Sequence, residues 1–411
     1  MDYINMSCGQ TYLSPRALKY MGRQTQQAIY YPYYYETEEQ TVKMMKKLYN
    51  TKNDLLIVTG TGTFAIEMGL RSTFEPGEKI LVINTGIFGE VAKCIAEIIG
   101  LDCIEYKVDY GEPIDLEKVE ELIKNSKPNC LYVVHDETTT GAEQPVDELG
   151  LLCRKYDLLF VVDAVSSFGG LDVRTDEWGI DLCFGSAQKC INGPQGIATI
   201  SISPKIWDKI KKRKTEIDTL SLDLETWRRY HDVKVKKYHE WWKKGGDPPK
   251  FDYRAPHEVS LPATLVWGLQ GALEDIFEEG LENRIQRHKV AGKAVRAAVD
   301  SLGLERVTKD EKTISDVVTV VRLPKGIKER DFREVMLKKY RVVLANGEIG
   351  DDNVRIGTMG ISAAPKYILP TIAALENALV HFGVKVKKGE ALNRAHEIFS
   401  TFEFKPEVHN E

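Results

Sequence analysis

Short apolar runs recur through the first half of this chain, and most are separated by segments with helical spacing. The runs fall at Asp54–Thr59, Lys79–Asn84, 102–107, Leu131–His135, Leu158–Asp163, Gly179–Phe184 and Ile197–Ser203. Helical patterns cover roughly 37–50, 89–100, 115–125 and 147–157. Strands that are apolar on both faces and separated by helices pair as a mostly parallel sheet with both faces covered. The fold class is therefore α/β, and a ligand belongs beyond the carboxyl ends of the strands.

Two of those ends carry charge. The run Leu158–Asp163 finishes on an aspartate, and Asp181–Phe184 passes through small residues to a single lysine, Lys189, before the chain breaks at Gly193-Pro194. Buried strands rarely carry charge unless it is paired or used. An acid on one tip and a lysine just past another suit a cofactor clamped between them. Pyridoxal phosphate needs that pair, a lysine to form an imine and an acid beside the pyridine nitrogen.

A phosphate site is legible nearby. Gly60-Thr-Gly-Thr-Phe-Ala65 spells G-x-G-x-x-A between a strand and a helix, which suggests a dinucleotide fingerprint. The next strand ends in Asn84 rather than the acid that would hold a ribose hydroxyl. What remains is a glycine turn and free amides at a helix start, which bind a phosphate. Further on, Arg355 lies inside an apolar strand beside Gly357 and Gly360. A buried guanidinium requires an anion, and a carboxylate fits its fork.

Asp163-Ala-Val-Ser-Ser-Phe-Gly-Gly170 and Gly185-Ser-Ala-Gln-Lys-Cys-Ile-Asn-Gly-Pro-Gln-Gly196 together resemble the class V aminotransferases of PLP fold type I, above all the alanine–glyoxylate and serine–pyruvate members. The resemblance runs from about residue 5 to about residue 385. The chain itself reads as an irregular N-terminal arm (1–16), a large cofactor-binding domain (17–279), a break at Gly280–Arg284 into a smaller C-terminal α+β domain (280–389), and a charged, partly helical tail (390–411). The resemblance implies the roles of the site. Lys189 carries the cofactor and Asp163 faces its ring nitrogen. Gly62, Thr63, Gln188 and the partner subunit's Ser260 hold the phosphate. Phe88 and Val165 cover the two ring faces, and Thr138 meets the ring oxygen or the substrate. Arg355 binds the substrate α-carboxylate, with Gly9 close by. The chain departs from the family pattern at Gly9-Gln10, where a Gly-Pro pair is usual. Further departures are His257 and Ser260, where tyrosine and threonine are usual.

The implied activity is amino transfer between a small α-amino acid and a 2-oxo acid such as glyoxylate or pyruvate. A pyridoxamine–pyruvate aminotransferase is an alternative, but the intact Gly60–Thr63 turn favours a fixed cofactor. A cysteine desulfurase is another, and Gln188 stands where those enzymes carry histidine. A non-catalytic scaffold is the third, which the joint presence of Asp163 and Lys189 argues against.

Composition bounds the remaining classes. A net charge of −5 gives no reason to expect nucleic acid or an anionic membrane as partner. The seven cysteines are scattered singly, which argues against a disulfide frame or a structural metal and for a reducing compartment, the cytoplasm. The aromatic run Tyr30–Tyr35 reads as interface, and the segment Arg254–Pro262 resembles the family segment that reaches the neighbour's cofactor phosphate, so the resemblance implies a homodimer with shared active sites. Residues 204–252, basic and rich in Trp and Tyr, read as surface helices on a long connection.

Overall fold

The protein is described here from a computed structural model over residues 3–23, 32–247 and 262–404. Its large sheet runs Asp54–Thr59, Ile197–Ile202, Leu182–Ser186, Leu159–Asp163, Cys130–Val134, Lys79–Asn84, Asp102–Lys107 in spatial order. Ile197–Ile202 is antiparallel to both neighbours, and the remaining pairs are parallel. The mostly parallel, doubly covered sheet is therefore as expected. Cys130–Val134 and Leu182–Ser186 are buried at every residue, which explains their unbroken apolar character.

Helix ends follow local chemistry. Thr61 caps Gly62–Thr73 by accepting from the Phe64 amide at 3.2 Å. Asp115 caps Leu116–Ser126 by accepting from the amides of Glu117 and Lys118. Each satisfies a donor that the first helical turn leaves without an internal partner. Ile87–Ile98 starts at Gly86 instead, with no side-chain cap, because that end is held by the site described below.

Ala263–Glu279 packs into the core of the large sheet, the chain turns at Gly280, and Leu281–Ser301 packs into a second, smaller core. The small sheet pairs Val318–Arg322, Asn353–Gly357 and Val342–Asn346 antiparallel. Ile4–Met6, from the N-terminal arm, adds a parallel strand beside Val342–Asn346, and Met6 is fully buried in the small core. The segment from residue 390, expected as a charged and partly helical tail, begins with the helix Glu390–Phe399. Its Ala391, Ala395 and Phe399 are buried in that same core and Leu392 and Ile398 pack against it, all on one face of a helix whose other residues are polar. Residues 204–247 are helical in pieces, at Pro204–Lys211, Leu224–Tyr230 and Tyr238–Lys244, with a π-helical stretch at His231–Lys237.

Close approach constrains the strand that leads to Lys189. A Cβ on Gly185 would sit 2.9 Å from Thr199 Oγ1 and from Phe168 Cδ2, and closer still to the Tyr49 hydroxyl. Those side chains are already committed, since Tyr49 and Thr199 share a buried hydrogen bond of 2.6 Å. Overpacking such a site costs about 1–3 kcal/mol. Gly185→Ala should therefore lower the urea midpoint of unfolding, and an unchanged midpoint would contradict the packing described.

Candidate active site

At the carboxyl ends of the parallel strands lies a cavity of about 270 Å³. Its walls include Gly9, Gly62, Thr63, Phe88, Asp163, Val165, Gln188 and Lys189. Chain segments far apart in sequence thus bring most of the expected residues to one place. Lys189 is 8% exposed, and its Nζ donates to the Cys8 carbonyl at 2.7 Å and lies 6.0 Å from the Phe88 ring centroid. Burial lowers the lysine's pKa, and the positive charge of Arg355 pushes the same way. Cys8, Cys190 and Asp163 oppose that shift.

Asp163 is 5% exposed and accepts from the Val165 amide at 2.9 Å. Burial raises its carboxyl to about 6, against the Val165 amide and the charges of Lys189 and His135, which lower it. An acid near that value can accept or keep a proton in the neutral range.

The end of the cavity at Gly62 is shaped by backbone. Gly62 opens the helix Gly62–Thr73, where the first amides have no helical acceptor. A Cβ on Gly62 would come within 2.7 Å of Val165 Cγ2, so only glycine lets this turn and the Val165 side chain share the cavity wall. Gln188 is fixed by the Ser186 hydroxyl, which donates to its Oε1 at 2.5 Å.

Thr138 is fully buried and its hydroxyl meets no hydrogen-bond partner among the described residues, although it does not itself line the cavity. Arg355 also stays off the cavity wall. Its guanidinium donates to the Asn346 carbonyl at 2.7 Å and pairs with Glu348 at 3.0 Å. Ser260 and His257 lie outside the described residues, as do Tyr30 and Tyr31 of the aromatic run.

Several residues that hold this site together were not singled out from sequence. Glu137 is fully buried and accepts from the Phe88 amide at 3.0 Å, the Thr139 amide at 3.0 Å and the Thr139 hydroxyl at 2.6 Å. Thr139 Oγ1 in turn accepts from the Ile87 amide at 3.1 Å. The start of the Phe88 helix is thus held by a carboxylate and a hydroxyl from the neighbouring strand loop, which replace its cap. Asp136 lines the cavity at 1% exposure with neither carboxyl oxygen partnered among the described residues. Burial pushes its pKa well above the usual carboxylate range.

Behind Lys189, Arg284 donates to the carbonyls of Gly169 at 2.9 Å and Cys190 at 2.7 Å, and to Asn192 Oδ1 at 2.9 Å. Asn192 donates to Thr11 Oγ1 and the Tyr12 carbonyl. Thr11 Oγ1 donates to the carbonyls of Gln188 and Lys189. The one available sequence signal was Arg284 itself, a basic residue just past the Gly280 break.

These features fit pyridoxal phosphate. The cavity offers an amine, a carboxyl group, a flat aromatic wall and a glycine turn with free amides. The site and sheet define a fold type I enzyme. Residues 26–231 match the family described as Aminotransferase class-V, and the chain belongs to that family, whose cofactor is pyridoxal phosphate.

Among its relatives, an uncharacterised aminotransferase of Methanocaldococcus jannaschii is 35% identical over 92% of this chain and 91% of that protein. The (S)-ureidoglycine–glyoxylate transaminase of Bacillus subtilis is 31% identical over 96% and 94%, respectively. An alanine–glyoxylate aminotransferase of Callithrix jacchus is 30% identical over 84% and 80%. The solved structure of the Bacillus subtilis ureidoglycine–glyoxylate enzyme superposes with a TM-score of 0.87, 30% identity, and coverage of 97% and 98%. The pyridoxamine–pyruvate aminotransferase of Mesorhizobium loti also gives 0.87, at 26% identity and 98% coverage of both chains. The chain is an aminotransferase.

The raised pKa of Asp163 has a measurable consequence. The folded chain holds this proton up to about pH 6, whereas an unfolded aspartate releases it near 3.8. Folding therefore takes up a proton between those values, and stability falls as pH rises through the window, by at most ~3 kcal/mol. Asp163→Asn should flatten that part of the stability–pH curve of the apoprotein and weaken retention of pyridoxal phosphate. A curve unchanged between pH 4 and 6 would contradict the assignment.

Proposed function

We propose that this enzyme moves the amino group of a small α-amino acid, such as alanine or serine, to a 2-oxo acid such as glyoxylate or pyruvate. The reading is carried by the presence of Lys189 and Asp163 in one buried cavity at the strand ends. Glyoxylate stands in the names of the Bacillus and Callithrix relatives, which supports it as acceptor. A second reading takes ureidoglycine as donor. It is favoured by the likeness to the Bacillus structure over nearly the whole chain.

Bound pyridoxal phosphate supplies an electron sink for the charge left when the substrate's α-proton departs. The chain's residues do the rest. Asp163 keeps a proton at the ring nitrogen. Lys189, whose amine burial makes easier to deprotonate, takes the proton from the substrate's α-carbon and returns it elsewhere. Gly62, Thr63 and Gln188 hold the phosphate, and the partner subunit's Ser260 completes that end. Phe88 and Val165 confine the ring, with Thr138 at its oxygen, and Gly9 bounds the substrate end. Arg355 receives the α-carboxylate and so orients the breaking bond.

The active form is a homodimer with shared active sites, working in the cytoplasm. Free, dispersed cysteines support a reducing compartment. No described helix is long and apolar enough to cross a membrane.

A panel of amino donors against glyoxylate and pyruvate, read by keto acid formation, tests the substrate class. Arg355→Ala should retain pyridoxal phosphate and lose roughly 2–4 kcal/mol of binding with every α-amino acid. Near wild-type efficiency in that variant, or turnover only of amines without a carboxylate, would contradict the proposal.

A further inference from the structure

Arg355 needs an anion, and its own chain supplies one. Nε donates to the Asn346 carbonyl at 2.7 Å, while one terminal nitrogen reaches Glu348 Oε1 at 3.0 Å and Asn346 Oδ1 at 3.4 Å. Asn346 Nδ2 donates to the same Glu348 oxygen at 3.0 Å. The two partners differ in burial: the Arg355 side chain is 9% exposed and that of Glu348 is 37% exposed. Glu348 lies in the turn between the strands Val342–Asn346 and Asn353–Gly357. In that turn Gly350 takes a φ of +151° and a Cβ added there would touch only the ends of two polar side chains. The charge of Arg355 reaches Lys189 and helps lower its pKa, so the guanidinium acts electrostatically on the cavity although it does not line it.

We propose that Glu348 is a built-in stand-in for the substrate carboxylate, exchanged for the incoming α-carboxylate at Arg355, and that its hold sets how tightly carboxylate substrates bind. The inference rests on Arg355 as the reader of that carboxylate. A buried guanidinium is costly without an anion, and this arrangement gives it one both before and after substrate enters. The direction of exchange follows from exposure. A half-exposed carboxylate returns to water with little loss, as surface ion pairs are weak, whereas a carboxylate brought into the closed site gains charge-assisted bonds in a drier setting. Until it leaves, Glu348 reduces the fraction of enzyme with a free receptor, and apparent affinity falls by that fraction.

Propionate, an unreactive carboxylate, probes the exchange in the pyridoxal phosphate-loaded enzyme. Its binding is measured by titration calorimetry and by inhibition against the amino donor. Glu348→Gln and Glu348→Ala should each tighten propionate about three- to tenfold and lower the KM for the donor. Arg355→Ala should abolish propionate binding, alone or combined with either Glu348 variant. If both Glu348 variants bind propionate as wild type or more weakly while Arg355→Ala still loses it, the exchange is overturned and Arg355 stands as the reader. If propionate binding survives Arg355→Ala, the carboxylate reading falls and the exchange with it.

Discussion

One buried guanidinium fixes the geometry of the loop that carries Lys189. Arg284 is 4% exposed, pairs with Glu279 at 2.8 Å, and spends its other donors on the backbone of Gly169 and Cys190 and on Asn192. Asn192 sits in the left-handed region at φ 61°, a strained conformation that these bonds stabilise. Its Oδ1 also accepts from the Ile361 amide, just past the strand Asn353–Gly357, and its Nδ2 reaches back to Thr11 and Tyr12. The N-terminal segment, the lysine loop and the segment after Gly357 therefore meet at one side chain. Breaking a buried pair of this kind by removing one partner costs about 3–5 kcal/mol. Lys189 is positioned from behind by this clasp, and from the front by the Cys8 carbonyl.

Inside the cavity, burial acts oppositely on the two groups that matter. It lowers the pKa of Lys189 and raises that of Asp163 to about 6, so each is driven toward its neutral form. A neutral amine and an acid able to give or hold a proton are what proton transfer at neutral pH requires. The surrounding structure sets those properties before any ligand arrives, because the walls, amides and the Glu137–Thr139 brace of the Phe88 helix are already in place.

Much of this was legible in the sequence, for physical reasons that apply unevenly. Fully buried strands such as Cys130–Val134 leave unbroken apolar runs, and a charge at the end of such a run is conspicuous; Asp163 and Lys189 were found that way. Gly62 was found because a helix start with glycines carries one recognisable geometry. Glu137, Asp136 and Arg284 were not. Each is a charged residue in a two-residue strand or near a helix start, where a solvated surface position looks the same in sequence. Only the fold shows Glu137 accepting from an amide on another segment, or Arg284 buried under the lysine loop. The pairing of Arg355 also needed the structure. Its requirement for an anion followed from its apolar strand, but the partner, Glu348, lies in a turn whose conformation the alternation of residues does not specify. The packing of the helix Glu390–Phe399 also needed the fold, because Glu390, Asn393, Arg394, His396 and Glu397 make it look solvated and its apolar residues show their common face only against the core they join.

The central claim is that Lys189 holds the cofactor opposite Asp163. Borohydride reduction of the pyridoxal phosphate-loaded enzyme, followed by peptide mass mapping, tests it most directly. The account predicts the reduced cofactor on the peptide bearing Lys189 and its absence from Lys189→Ala. Label on any other lysine, or label retained by Lys189→Ala, would contradict it.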